Sequence, residues 1–289
     1  MKFRIVHLAV AAVLVLTGCA AGVQFPSYTD PNSEPVNVTG LLFKPMGEGV
    51  YPAVVLLHTC GGLKPHVTED WPGYLTGLGY VVLSVDSYGP RGFSRCTDIP
   101  GGDIYQARDA YGALDYLAGL PFVDGDRVGV MGFSIGAVTI NRHMVNRDLQ
   151  RSVSKGQDVI AQIAAHEARI GARAGGEIGS KIKQDGRDFK AAVAFYGRCG
   201  EIGDYTKNSV PLMEIVAEND ERHAPSCIDA GERFPMIRVH VLKEAYHAFD
   251  TSGSSGRTDA FGSIMIYSAG AVTESEKHVK SFLSKHLGK

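Results

Sequence analysis

Val128-Gly129-Val130-Met131-Gly132-Phe133-Ser134-Ile135-Gly136-Ala137-Val138 is the stretch on which the fold turns. A run suited to a buried strand enters Gly132-Phe133-Ser134-Ile135-Gly136, and an apolar helix leaves it. The pattern Gly-x-Ser-x-Gly is weak alone, because both residue types are common. Its setting makes it specific: strand, sharp turn, helix is the setting of a nucleophile elbow. A side chain at either glycine would crowd the strand or helix beside it. The turn lifts Ser134 Oγ above the sheet at a helix N-terminus, where the dipole favours developing negative charge. The Ile135 amide, directly after the serine, is a first candidate oxyanion donor.

Outward from this turn, strand and helix patterns alternate. Tyr51 to His58, Tyr80 to Val85, Arg127 to Met131, Phe189 to Gly197, Pro211 to Ala217 and Met236 to Leu242 hold apolar runs suited to strands buried on both faces. Val36 to Phe43 alternates as an outer strand does. Pro72 to Leu78, Asp103 to Ala118, Ser134 into the 140s and Glu274 to Leu287 read as helices. On the second of these, Ile104, Ala107, Tyr111, Leu114 and Ala118 form one apolar stripe. The fold class is therefore α/β, a mostly parallel sheet with helices on both faces. Residues 148–188 break the rhythm, and a gap of that length is either a surface elaboration or a cap over a site.

A serine hydroxyl is a poor nucleophile at neutral pH and needs a base. In this architecture the partners follow in the order serine, acid, histidine. Among ten histidines, His247 lies just past the strand ending at Leu242, on the same sheet end as the elbow. His240 lies within that strand and His286 in the terminal helix. His223 sits in the loop where the acid belongs. That loop, after Ala217, carries Glu218-Asn219-Asp220-Glu221. Asp220 is placed to orient the His247 imidazole, with Glu218 as runner-up. A second oxyanion donor is expected from Thr59-Cys60-Gly61-Gly62, and by position it is the Cys60 amide. No His/Cys cluster has metal-ligand spacing, so neither metal nor cofactor is expected.

The 289 residues are 44% hydrophobic and 21% charged, with a formal charge of −2. That balance suits a globular chain and leaves no basic excess for a nucleic-acid partner. The N-terminus differs from the rest. Lys2 and Arg4 precede an apolar run from Ile5 to Leu16, followed by Leu16-Thr17-Gly18-Cys19. Residues 1–18 read as a secretory signal, too short to span a membrane. Leu16 to Cys19 resembles the bacterial lipobox, which implies lipidation of Cys19 and an exported, membrane-anchored protein. Residues 19–35 read as a tether and 36–289 as the folded domain. Of the five cysteines, Cys60, Cys96, Cys199 and Cys227 then remain, an even number in an oxidising compartment, with three pairings open.

Taken in order, these residues resemble the dienelactone hydrolase family of α/β-hydrolases, in an exported, cysteine-containing branch. The matching pieces are Leu57 to Gly62, Val85 to Gly92, Asp109 to Leu117, Pro121 to Asp124 with Arg127, the elbow, Phe195-Tyr196, Asp220 and His247-Ala248-Phe249. The resemblance covers residues 36–147 and 189–289. It implies an esterase or lactonase working on a small-molecule ester through Ser134, His247 and Asp220. The founding enzymes carry a nucleophilic cysteine where this chain has Ser134, which shifts the expectation from dienelactones towards a serine esterase. The sheet order it implies pairs Cys60 with Cys96 and Cys199 with Cys227. Arg91 is offered either to an acidic substrate group or to its own turn. The rival readings are an acyltransferase or peptidase on the same residues, and a binding lipoprotein without catalysis.

Overall fold

The computed structural model describes residues 20–28, 36–99, 101–144, 187–199, 208 and 210–289. The readings placed on residues 1–18, on Cys19 and on 148–186 lie outside them. Eight strands form one sheet: β1 (Ala21–Pro26), β2 (Asn37–Phe43), β3 (Tyr51–Leu57), β4 (Val81–Asp86), β5 (Val123–Phe133), β6 (Ala191–Phe195), β7 (Leu212–Ala217) and β8 (Ile237–Leu242). Their order across the sheet is β1-β2-β4-β3-β5-β6-β7-β8. From β4 to β8 all pairings are parallel, while β1 and β2 run antiparallel at one edge.

The apolar runs make strands because the sheet is covered on both faces. Along β3, Ala53, Val55 and Leu57 join one core while Val54 and Leu56 join the other. The first core is closed by α2 (Gly102–Ala118) and α4 (Ala224–Arg233), between which α3 (Ile135–Thr139) leaves the elbow. The second is closed by α1 (Trp71–Gly77) and α5 (Ala269–Leu287). The helix expected from Ser134 into the 140s is present, as an α-helix over Ile135–Thr139 that widens to a π-helix over Ile140–Met144. Among the described residues no helix is long and apolar enough to cross a membrane.

One boundary is corrected. Residues 19–35 were read as a tether, yet Ala21–Pro26 is the edge strand of the main sheet, with Val23 opposite Gly40. Only Phe25 of this strand is buried, so it shows no apolar run to read. Ser27, next to the strand, donates its hydroxyl to the buried Asp109 at 2.5 Å. Asp109 in turn takes two guanidinium bonds from Arg91, at 2.8 and 2.9 Å. Arg91 is buried, and its bonds to Asp109 and to Ser87 O at 2.7 Å hold its own turn.

Candidate active site

Parallel strands bring their carboxyl ends to one side, and four of them carry the candidate residues there: Cys60 after β3, Ser134 after β5, Asp220 after β7 and His247 after β8. Ser134 has φ 54° and ψ −109°, a conformation that side-chain-bearing residues rarely adopt. It is held there from both sides. Its N–H donates to Phe195 O at 3.0 Å, and its carbonyl accepts from Val138 at 3.0 Å. The glycines answer to contact. A Cβ on Gly132 would fall on the Gly136 carbonyl, and one on Gly136 would stand 2.5 Å from Leu57 O.

His247 Nε2 lies 3.0 Å from Ser134 Oγ, and His247 Nδ1 donates to Asp220 Oδ2 at 2.6 Å. Both His247 and Asp220 are buried. Asp220 has a second imidazole: His223 Nδ1 reaches Oδ1 at 3.0 Å, and the His223 ring stacks on His247 with centroids 5.0 Å apart. Burial by itself would raise the Asp220 carboxyl. The hydrogen bonds from His223 and His247 and their charges outweigh it and hold the group well below the usual carboxylate range. Glu218, the runner-up, is turned outwards to Lys243 Nζ at 2.6 Å and Glu244 N at 3.0 Å. His240 stacks on His278 and His286 packs on Phe282, both remote from the elbow.

Behind His247, Asp250 anchors the loop. Trp71 Nε1 donates to its Oδ2 at 2.9 Å and the Tyr196 hydroxyl to its Oδ1 at 2.7 Å. The Tyr196 ring packs against the His247 ring at 5.0 Å. Burial first, then the neighbouring Asp250 charge, pushes the Tyr196 phenol well above its ordinary range, so it stays a donor.

The pocket above Ser134 has a volume of about 420 Å³, and Cys60, Gly61, Ser134 and His247 line it together. The Ile135 N–H opens α3, where no intrahelical acceptor exists. Cys60 is pinned. It forms a disulfide with Cys96, and its carbonyl takes the Cys96 N–H at 2.9 Å. The second disulfide joins Cys199 to Cys227, so both pairings implied by the sheet order are present. Next to the Cys60 loop, the buried His58 accepts from Ser87 N at 3.2 Å, and Gln106 donates to His58 O at 3.0 Å. Thr139 of α3 donates to Gln106 Oε1 at 3.0 Å, which ties the loop to the elbow helix. Burial lowers the His58 imidazole, keeping it neutral as an acceptor.

Two groups of metal-type ligand atoms lie close together among the described residues: Asp220, His223 and His247, and Cys199, Glu214 and Cys227. The first set is engaged in its own hydrogen bonds, and both sulfurs of the second are in a disulfide. Neither presents a free ligand set.

No protein-family model matches the chain. Among curated proteins, Esterase FrsA of Klebsiella pneumoniae is 31% identical over 113 residues, which is 38% of this chain and 25% of the esterase. The match thus spans about a quarter of that relative's length. Among solved structures, a dienelactone hydrolase-like promiscuous phosphotriesterase from metagenomic libraries superposes with a TM-score of 0.61 at 19% identity, over 93% of this chain and 99% of that one. An acylaminoacyl peptidase of Pyrococcus horikoshii gives 0.60 at 15% identity, over 95% of this chain and 43% of the peptidase. The fold is that of the dienelactone hydrolase-like proteins. Within this hydrolase fold, three features escaped the sequence reading: the role of His223 on Asp220, the Trp71–Asp250–Tyr196 brace, and the hairpin of β9 (Arg257–Thr258) and β10 (Ile264–Met265). The hairpin lies against the His247 loop through a bridge between His247 and Met265. His223 three residues after Asp220, at the entrance of α4, was the one readable signal.

Proposed function

We propose that the protein is a serine hydrolase that cleaves carboxylic esters or lactones through an acyl-enzyme. The observation that carries this reading is the continuous chain Ser134 Oγ, His247 Nε2, His247 Nδ1, Asp220 Oδ2, with links of 3.0 and 2.6 Å. Ser134 Oγ attacks the ester carbonyl while His247 Nε2 takes its proton. Asp220 holds the imidazole in the required tautomer and stabilises the imidazolium. The Ile135 and Cys60 amides receive the oxyanion. His247 returns the proton to the leaving alcohol, and water then releases the acyl group from Ser134. The pocket size suits a small-molecule ester.

The test is turnover of p-nitrophenyl acetate by the purified protein and by Ser134→Ala. The variant should keep its circular dichroism and lose on the order of 10⁴-fold or more in kcat. A fluorophosphonate should label the wild type and leave Ser134→Ala unlabelled. A protein that is not labelled, with no turnover on esters, amides or phosphotriesters, is the binding lipoprotein instead. Preference for amide over ester substrates in the same panel selects the peptidase reading, and preference for an alcohol acceptor selects acyl transfer.

We also propose export and anchoring of this chain through a lipidated Cys19. The charged Lys2 and Arg4, the apolar run and the small residues before Cys19 support it. So do two disulfides, which persist in oxidising compartments. Fatty-acid incorporation that survives Cys19→Ala would refute the anchor.

A further inference from the structure

The hairpin between β9 and β10 places a carboxylate across the pocket from the elbow. Asp259 Oδ1 accepts the backbone N–H groups of Phe261 at 2.9 Å and Ser263 at 2.7 Å. Its own N–H donates to Ser263 O at 2.9 Å. The carboxylate is therefore fixed by its turn, whatever the pocket holds. Its Oδ2 is fully buried and has no hydrogen bond to any described residue. That oxygen lies 3.7 Å from His247 Nε2, the nitrogen that also faces Ser134 Oγ at 3.0 Å. Asp259, Ser134 and His247 line the same pocket.

A buried carboxylate oxygen without a donor is costly, so its persistence calls for a partner that arrives during the reaction. At 3.7 Å it is too far from His247 for a direct hydrogen bond. A water with legs of about 2.8 Å to each group spans that distance once the hairpin gives enough to admit it, since Oδ2 is closed to solvent in the resting pocket. The chemistry around Nε2 then separates the two half-reactions. During acylation the leaving oxygen of an ester stands beside Nε2 and has no hydrogen to offer a carboxylate. During deacylation water takes that position and has two.

Resting on the ester-hydrolase reading above, we propose that Asp259 is a catalytic residue of deacylation, holding the attacking water against His247 and favouring water over alcohols as acyl acceptor. One hydrogen of the water passes to Nε2 as its oxygen bonds to the acyl carbon. The second remains hydrogen-bonded to Asp259 Oδ2, which gains no proton. The bond from the acyl carbon to Ser134 Oγ then breaks, His247 returns its proton to Oγ, and the carboxylic acid leaves. A monohydric alcohol has one hydrogen, which Nε2 takes, so Asp259 gives it no help.

Asp259→Asn tests this. The carboxamide oxygen can keep the two backbone bonds of the turn, while the amide nitrogen replaces Oδ2 with a donor. Stopped-flow kinetics on p-nitrophenyl acetate should show acylation within about threefold of wild type and deacylation slowed by roughly 10- to 100-fold, as for a misplaced reactant. The burst should approach one equivalent per enzyme, and added methanol should capture a larger share of the acyl group. Acylation and deacylation that fall by one common factor would overturn the proposal, since Asp259 would then act on His247 alone. Unchanged deacylation and methanol partition would overturn it too, while Ser134-dependent turnover in both proteins would leave the hydrolase reading standing. A wild type with no Ser134-dependent turnover overturns both.

Discussion

Replacing Glu214 by Gln should remove a pH dependence of stability that this one side chain creates. Glu214 sits in the middle of β7, on the face it shares with Leu212 and Val216, and is 1% exposed. Its Oε2 faces Cys227 Sγ at 4.0 Å, and its Oε1 has no hydrogen-bond partner among the described residues. Burial pushes the carboxyl from 4.5 up to about 8, and the neighbouring Asn141 amide opposes only part of that rise. Between these two values the folded chain holds a proton that the unfolded chain has lost. The group's contribution is therefore complete below pH 4.5, declines as pH rises towards about 8, and levels off above. At about 1.4 kcal/mol per pH unit the decline amounts to on the order of 3–5 kcal/mol. Gln keeps the shape of the protonated acid and cannot ionise. Urea unfolding of both proteins from pH 5 to 8.5 measures the difference directly, because groups not coupled to Glu214 cancel. The two should agree within about 1 kcal/mol at pH 5, and the variant should be the more stable by on the order of 3–5 kcal/mol at pH 8.5. A difference that stays flat across this range would show that Glu214 ionises in the fold as it does in water.

His223→Phe keeps the stacked ring on His247 and removes one donor from Asp220. In ester hydrolysis kcat should drop by about tenfold with KM unchanged, as befits a residue that positions the acid without touching substrate. Stability at pH 7 should fall by about 1–3 kcal/mol, the range for a hydrogen bond to a charged group. Because Asp220 is depressed in the fold, that loss should be full above its ordinary value of 3.8 and close in stronger acid. Breaking Cys60–Cys96 with paired serines opens a loop of sequence separation 36 and should cost about 3–4 kcal/mol. It should also lower kcat, since the Cys60 amide loses its fixed place. Breaking Cys199–Cys227, of separation 28, should cost about as much stability and spare kcat more. Denaturant titrations paired with ester kinetics separate the two.

What the sequence disclosed follows from how each feature is encoded. Buried parallel strands announce themselves because both faces must be apolar, as in Ala53 to Leu57, and their observed limits fall within a few residues of the reading. The strand expected over Arg127 to Met131 begins earlier, at Val123, through a polar and half-exposed entry, and runs on through the buried Gly132 and Phe133 into the elbow. Edge strand β1 stayed hidden for the opposite reason: one buried side chain, Phe25, is no pattern. Helix α4 was missed although Ala224, Cys227 and Ala230 face inwards at spacings of three, since small residues give little contrast. The Ser134, Asp220 and His247 positions were readable because chain order and strand ends restrict where they can sit.

Asp220 is legible from its place after a strand end, but the other carboxylates near His247, Asp250 and Asp259, are not, and the structure says why: nothing in their local sequence marks them. Asp220 has donors from His223 and His247, and Asp250 has Trp71 and Tyr196. Each of these bonds joins residues from distant parts of the chain or depends on which side of a loop turns inwards. Asp259 differs: its two donors are local, two and four residues on, in the turn Asp259-Ala260-Phe261-Gly262-Ser263. An Asx-type turn of this kind is legible, but it accounts for only one oxygen. Whether the other oxygen faces solvent or a nucleophile depends on where the hairpin docks, which the His247–Met265 bridge decides. Of the three carboxylates, Asp259 is thus the one whose free oxygen is left for the reaction, and its role can be tested separately from the fold that supports it.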